Sequence, residues 1–279
     1  MKTRARTRLR LGRISYLNVL PFYHGLEGNG FGLEPVVGSP TEINQRMHLG
    51  ELDIAPISSL EYLNHQKDYL LFPDLCLGSR DFSGSVLLLS RERAEGLGGA
   101  TISLSEESLS AATLLRILLK SKFGFENEFR VDPSRPEEML SRAKGCLVIG
   151  DEALFYQPKE FLYKTDLSEV WWDWTGLPFC FSVWAVRRDF YAKRKEEIRA
   201  FYHKLKFNLE RNLQDLERLV REGLGLTMVD AKFPVIYGYL FNLSYGFDTE
   251  MREGLELFYR RAHELGVSPA AKKLEFIEA

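Results

Sequence analysis

The side chains best able to do chemistry in this 279-residue chain are hydroxyls, an amide and a carboxylate that follow predicted strands. Open α/β sheets bind ligands at the carboxyl ends of their strands, where helix N-termini offer N–H groups and a positive dipole end to anions. The sequence therefore predicts a site for a small anionic molecule. The candidate contact residues at these turns are Asn18, Ser58, Ser59, Ser83 to Ser85, Ser108, Ser110, Asp151, Thr175 and Gly176.

Two of these turns have features of their own. The run from Trp174 to Trp184 sets the polar turn Thr175-Gly176 directly before an aromatic strand, which is what a pocket for a small organic ligand requires. Asp151 follows a buried run, where a carboxylate can serve as a general base or cap the next helix. Both interpretations of Asp151 remain open on the sequence alone.

Several common catalytic motifs do not occur in the sequence. The histidines have no H-x-x-x-H or H-E-x-x-H spacing, so we predict no metal site. There is also no G-x-S-x-G elbow, no G-x-x-x-x-G-K-[ST] loop and no G-x-G-x-x-G fingerprint, which argues against hydrolases and against nucleotide or dinucleotide enzymes. The five histidines are His24, His48, His65, His203 and His263.

Composition argues against whole classes of partner. The 37 Lys and Arg residues balance 39 Asp and Glu residues, so no global field favours nucleic acid or a membrane surface. The basic first residues are followed by no apolar segment of signal-peptide length, and no stretch approaches the ~18 apolar residues of a membrane helix. We expect a soluble, cytoplasmic protein with three buried free thiols at Cys76, Cys146 and Cys180.

Short apolar runs alternate with segments of helical period, which is the pattern of α/β architecture. A long amphipathic helix is predicted over 189–223 and a final helix over 248–266. The predicted strands lie near 9–15, 33–37, 52–57, 70–77, 85–90, 101–104, 128–131, 145–149 and 179–186.

A Gly-rich, polar interruption at 95–100 suggests that the chain crosses there from one lobe to another. We expect a discontinuous first lobe of residues 1–94 and 187–279 around an inserted second lobe of residues 95–186. The strand-to-helix turns of both lobes would then face a ligand cleft between them.

Five short pieces, in order along the chain, carry a family resemblance. They are Ser15 to Phe22 (SYLNVLPF), Pro56 to Tyr62 (PISSLEY), Cys76 to Arg80 (CLGSR) with Gly84 to Val86 (GSV), Ile149 to Leu154 (IGDEAL) and Thr175 to Phe179 (TGLPF). With them the chain resembles, from Ile14 to Gly266, the chorismate dehydratases of the futalosine route to menaquinone. That family has the two-lobed fold of type II periplasmic binding proteins.

The resemblance implies removal of water from chorismate to give 3-[(1-carboxyvinyl)oxy]benzoate, without a cofactor. It assigns the reacting centre to Asn18 and Ser85, which would orient the substrate and hydrogen-bond the departing hydroxyl. The substrate's own enolpyruvyl carboxylate would take the proton. Substrate-binding residues are expected at Ser58, Ser59, Gly84, Val86, Ser108, Ser110, Asp151, Thr175 and Gly176.

The chain departs from the family's usual pattern in two places. Residues Asp81 to Ser83 replace a Gly and small or apolar residues before Ser85, and Glu106 with Glu107 lie near the start of the second-lobe helix. We expect both glutamates to point to solvent.

Purely structural roles compete with these assignments. Asn18 could be an N-cap, Ser85 a turn residue, and Ser58 part of a capping box with Glu61. Two other functions also fit the fold: a related enzyme that makes 1,4-dihydroxy-6-naphthoate, and a cytoplasmic binding protein that performs no chemistry. The first typically has a Cys-Pro-Asn-Asp-like turn where this chain has Tyr16 to Val19.

Overall fold

The computed structural model describes residues 9–26, 33–107, 109–158 and 160–278. The described strands are β1 Gly12–Ile14, β2 Val36–Gly38, β3 Ile54–Ser58, β4 Tyr69–Ser79, β5 Val86–Ser90, β6 Thr101–Leu104, β7 Glu128–Val131, β8 Gly145–Ile149, β9 Tyr163–Asp166, β10 Phe179–Arg187 and β11 Leu243–Gly246.

Helices connect and cover these strands, as α/β architecture requires. The described helices are α1 Leu20–Tyr23, α2 Pro40–His48, α3 Ser59–Asn64, α4 Leu109–Ile117, α5 Pro136–Arg142, α6 Gly150–Phe155, α7 Leu167–Thr175, α8 Arg188–Lys193, α9 Lys195–Gln214, α10 Leu216–Leu224, α11 Phe233–Asn242 and α12 Thr249–Glu264.

The strands form two main sheets, which confirms the α/β prediction. One has four strands in the order β11-β4-β10-β3, and the other has five in the order β7-β6-β8-β5-β9. The parallel pair β1 and β2 lies beside β3 through a bridge between Leu11 and Ile54. Two sheets with their own helices give the molecule two lobes.

The chain crosses between the sheets at other points than the sequence suggested. Val86–Ser90 pairs with β8 and β9, in the five-stranded sheet, and Phe179–Arg187 pairs with β3 and β4, in the four-stranded sheet. The expected boundary after residue 94 therefore assigns β5 to the wrong lobe. The strand over 179–186 returns to the first lobe, as its apolar run led us to expect, so the second crossing falls before β10 and not after residue 186. Nearly every side chain of both strands is buried, so their apolar pattern identifies a strand without identifying its neighbours.

Local signals set the helix ends. At α2, Ser39 accepts the N–H of Glu42 while the Glu42 side chain accepts that of Ser39, a complete capping box before Pro40. The similar sequence at α3 forms only half of a box. Ser58 accepts the N–H of Glu61 at 3.4 Å, but the Glu61 carboxylate accepts the hydroxyl of Tyr69 instead.

The predicted helix over 189–223 is in fact three helices, α8, α9 and α10. The backbone leaves helical geometry at Arg194 and again at Asp215, whose carboxylate accepts the N–H of Arg218 at 3.0 Å and begins α10. The amphipathic period continues through both breaks, which is why the sequence reads as one helix.

Aromatic rings fill the core of the first lobe. Trp184 on β10 lies 5.2 Å from Phe22 and 6.2 Å from Phe72, measured between ring centroids. Cys76, Cys146 and Cys180 are buried free thiols, as expected. Within the described part of the chain, no helix combines the length and apolar character needed to cross a bilayer.

Candidate active site

A cavity of about 80 Å³ lies between the two lobes. The first lobe contributes the ends of β1 and β3 and parts of β4, β10 and β11, while the second contributes the starts of β5, α4 and α6. Its lining residues are Ile14, Tyr16, Asn18, Pro40, Ser58, Leu77, Ser85, Val86, Glu107, Leu109, Ser110, Ala111, Ile149, Gly150, Phe181, Ser182 and Leu243.

Asn18 lies in a short 3-10 turn, Leu17–Val19, between β1 and α1. Its Oδ1 atom is buried and accepts no hydrogen bond from any described residue. Neither the turn nor α1 is capped by a side chain, so Asn18 is not an N-cap. A buried acceptor without a partner costs about 1–3 kcal/mol, and a ligand in the cavity could supply the missing donor.

Ser85 lies across the cavity from the first-lobe strands, directly before β5. Its Oγ accepts the hydroxyl of Tyr239 at 3.0 Å, which leaves the Ser85 proton free to donate. Tyr239, on α11, also interacts with Asn18, and burial raises its pKa above the ordinary value, so its hydroxyl stays protonated. Sequence reasoning missed Tyr239 because its helix is otherwise a continuous apolar run.

The loop before Ser85 is held by Asp166 at the end of β9. The Asp166 carboxylate accepts the N–H groups of Ser83 at 3.1 Å and Gly84 at 2.7 Å, and also the Ser83 hydroxyl. Burial raises the pKa of Asp166, and these hydrogen bonds oppose that rise. Gly84 has φ +70°, so the turn favours glycine there. Ser83 and Gly84 thus shape the loop, whereas Ser85 and Val86 reach the cavity.

Three serines from the two lobes bind one another. Ser110 Oγ lies 2.8 Å from Ser58 Oγ and 3.0 Å from Ser59 Oγ, and it accepts the N–H of Leu60 at 3.1 Å. Ser58 and Ser110 line the cavity, but Ser59 is fully buried and does not. Ser108, the other serine expected here, lies outside the described residues.

Asp151 joins the lobes and lies outside the cavity lining. Its carboxylate accepts the N–H of Leu17 at 3.1 Å, next to Asn18, and burial raises its pKa. The N-cap of α6 is Ile149, so Asp151 does not cap that helix. Its contact fixes the turn that carries Asn18.

The prediction that Glu107 points to solvent is wrong. Glu107 is half-buried, lines the cavity and accepts the hydroxyl of Tyr16 from the other lobe, whereas Glu106 is exposed as expected. The Tyr16 ring packs on Gly150, where an added Cβ would lie 2.7 Å from the ring. Tyr16 and Glu107 are site residues that the sequence analysis missed.

Thr175 and Gly176 lie away from the cavity, at the end of α7. The Thr175 hydroxyl donates to the Trp171 carbonyl at 2.8 Å, and Gly176 is an exposed C-cap with φ 68°. The Thr-Gly sequence therefore marks the end of a helix. The residue after the last helical turn often adopts the left-handed conformation, which glycine tolerates best. The same segment instead supplies Ser182, which is 5% exposed, lines the cavity and has an Oγ without a partner among the described residues.

The charge of the site is unusual for an anion site. Among the described lining residues there is no Lys, Arg or His, and Glu107 is the one carboxylate. Anion binding would therefore depend on hydroxyls, the Asn18 amide and backbone N–H groups. A single carboxylate with hydroxyls is a poor donor set for a metal ion.

Solved structures with the same architecture identify the fold. Protein AF1704 from Archaeoglobus fulgidus superposes with a TM-score of 0.68 at 16% identity, covering 93% of this chain and 98% of that one. The periplasmic aliphatic sulphonate binding protein SsuA from Escherichia coli gives 0.63 at 13% identity, covering 98% and 95%. The fold is that of the two-lobed periplasmic binding proteins.

Sequence comparisons are more specific. A family model described as "Menaquinone biosynthesis" matches residues 9–264. A protein of Thermus thermophilus named "Chorismate dehydratase" is 30% identical over 264 residues, which cover 89% of this chain and 93% of the relative. The chain belongs to this menaquinone biosynthesis family.

Proposed function

We propose that this protein dehydrates chorismate to 3-[(1-carboxyvinyl)oxy]benzoate, without a cofactor, as a carbon–oxygen lyase of menaquinone biosynthesis. Family membership and the named Thermus relative support the reaction. The observation that carries it is the unpaired Oδ1 of Asn18, in a cavity that Ser85 also lines. We further infer a cytoplasmic enzyme that acts on a free small molecule.

The chemistry suits a site with few titratable groups. Loss of a ring hydroxyl and a neighbouring ring proton makes the ring aromatic, so the reaction is strongly downhill. The enzyme mainly has to hold the substrate in one orientation and stabilise the charge that develops on the departing oxygen.

Each group then has a defined task. Asn18 Oδ1 accepts a hydrogen bond from the substrate, while the Ser85 hydroxyl keeps its proton and donates a hydrogen bond to the departing hydroxyl. Tyr239 donates to Ser85 Oγ and thereby strengthens the Ser85 hydrogen bond. The ring proton passes to the substrate's enolpyruvyl carboxylate. Transfer of that proton to the leaving hydroxide yields water and restores the carboxylate.

The direct test is incubation of purified protein with chorismate and no added cofactor. Loss of chorismate and appearance of an aromatic enol ether are followed by ultraviolet absorbance and mass spectrometry. Binding of chorismate without turnover, by protein shown to be folded, would leave a binding protein and overturn the proposal.

A further inference from the structure

A group of metal-ligating side chains lies outside the cavity that contains Asn18. His48 is the last residue of α2, His65 directly follows α3, and Asp68 ends the 3-10 turn Gln66–Asp68. One donor atom from each lies within 4.8 Å of the other two, and the imidazole centroids are 4.1 Å apart.

The backbone under this group is well anchored. The His65 N–H donates to the Glu61 carbonyl at 3.1 Å, and the Asp68 N–H donates to the His65 carbonyl at 2.9 Å. Helices α2 and α3 both pack against β3. Ion binding would therefore require movement of side chains only.

Glu61 lies on the side of His65 where metal-binding histidines usually have an outer partner. Its Oε1 lies 3.8 Å from Nε2 of His65, and it is itself oriented by the Tyr69 hydroxyl at 3.2 Å. Only 7% of Glu61 is exposed, so its position is well defined. At 3.8 Å the approach of Glu61 to His65 is a close electrostatic contact and not a hydrogen bond, and it leaves the other nitrogen of the ring for an ion.

The donor set selects the kind of ion. Two imidazoles with one carboxylate suit Zn²⁺, Ni²⁺ or Cu²⁺, whereas Mg²⁺ and Ca²⁺ prefer oxygen ligands throughout. Bonds of about 2.0–2.2 Å require the donors to draw closer than their present separation. His48 is exposed, so rotation of its side chain can close the gap.

We propose that His48, His65 and Asp68 bind one divalent transition-metal ion such as Zn²⁺. The two histidines also line an open cavity of about 460 Å³ between the lobes, so water can fill the remaining coordination positions. The histidine spacing did not reveal this site, because its ligands come from separate elements that meet only in the folded chain. The site shares no residue with the proposed reaction.

The experiment is a Zn²⁺ titration of the untagged full chain in competition with a chromophoric chelator. We expect one ion per chain, with the affinity falling at least ~10-fold in His48→Ala and in His65→Ala. Glu61→Gln, which removes the outer charge, should weaken binding by about 10-fold. His203→Ala removes an exposed histidine on α9 and should leave the affinity unchanged.

A second readout needs no variant. On addition of Zn²⁺, the ring resonances of His48 and His65 should shift in the NMR spectrum of the wild-type chain, while those of His203 stay in place. Equal affinity in the His48→Ala/His65→Ala double variant and the wild type, or displacement of Zn²⁺ by equimolar Mg²⁺, would overturn the proposal. So would unshifted His48 and His65 resonances at saturating Zn²⁺.

Discussion

Two groups of polar side chains line the same cavity, yet they use their hydrogen-bonding capacity in opposite ways. Ser110 is paired with Ser58, Ser59 and a backbone N–H, so its hydroxyl is fully engaged within the protein. The Oδ1 atom of Asn18 and the Oγ of Ser182 have no partner among the described residues.

This difference distinguishes polar groups that stabilise the fold from polar groups that are available to bind a ligand. Buried polar groups are normally satisfied, so paired hydroxyls hold the lobes together, whereas unpaired atoms that face the cavity remain available to a ligand. The comparison also shows why residue type alone is a poor guide, because serines occur in both groups. Three predictions test this comparison and a fourth concerns the buried Asp166, in order from the largest expected effect to the smallest.

Asn18→Ala should lower the kcat for chorismate by about 10²–10³-fold, because the lost contact belongs to the proposed reacting centre. Chorismate binding should weaken much less, since apolar walls and other hydroxyls remain. Steady-state kinetics with isothermal titration of chorismate separates the two quantities. A change confined to KM would reduce Asn18 to a ligand contact.

Ser110→Ala should lower the free energy of unfolding by about 1–3 kcal/mol, because the Leu60 N–H and two serine hydroxyls lose a buried partner. Urea denaturation measures this loss. Turnover by the folded variant should change far less than in Asn18→Ala. An unchanged stability would contradict a structural role for the paired serines.

Ser182→Ala is the matched opposite, since it removes a buried hydroxyl of the same cavity that has no partner among the described residues. The free energy of unfolding should stay the same or rise. The KM for chorismate should increase by up to about 10-fold, the value of one hydrogen bond. A destabilised variant with unchanged KM would place Ser182 among the structural serines.

The raised pKa of Asp166 predicts a small dependence of the free energy of unfolding on pH. Burial raises its pKa in the folded state, so folding takes up a proton between the ordinary carboxyl pKa and the raised one. This contribution to stability is complete below about pH 4, the ordinary value, and is lost as pH rises through the folded pKa. Asp166→Asn should lack that slope in pH-dependent urea unfolding, and identical slopes in both proteins would contradict the assignment.

The sequence allowed much of the fold and part of the site to be predicted. Alternating apolar runs and helical periods identified most strands and helices, because those patterns are local. The turns that carry Asn18 and Ser85 were also found, since polar residues after apolar strands and family motifs are both visible in the chain. Asn18, Ser58, Ser85, Val86 and Ser110 all line one cavity.

Long-range contacts could not be predicted in the same way. The sheet to which β5 belongs depends on pairing partners far away in the chain. Asp151 contacts Leu17 in the other lobe, and Glu107 contacts Tyr16, so neither side chain has the role that its local neighbours suggested.

What the sequence by itself determined is the set of elements, their α/β order and the turns where chemistry can occur, because periodicity, capping and turn preferences act over a few residues. Only the tertiary structure decided which polar atoms remain unpaired. Hydrogen-bond satisfaction depends on groups brought together across the two lobes: Tyr239 reaches Ser85 and Ser110 reaches Ser58, while Asn18 and Ser182 are left open to the cavity.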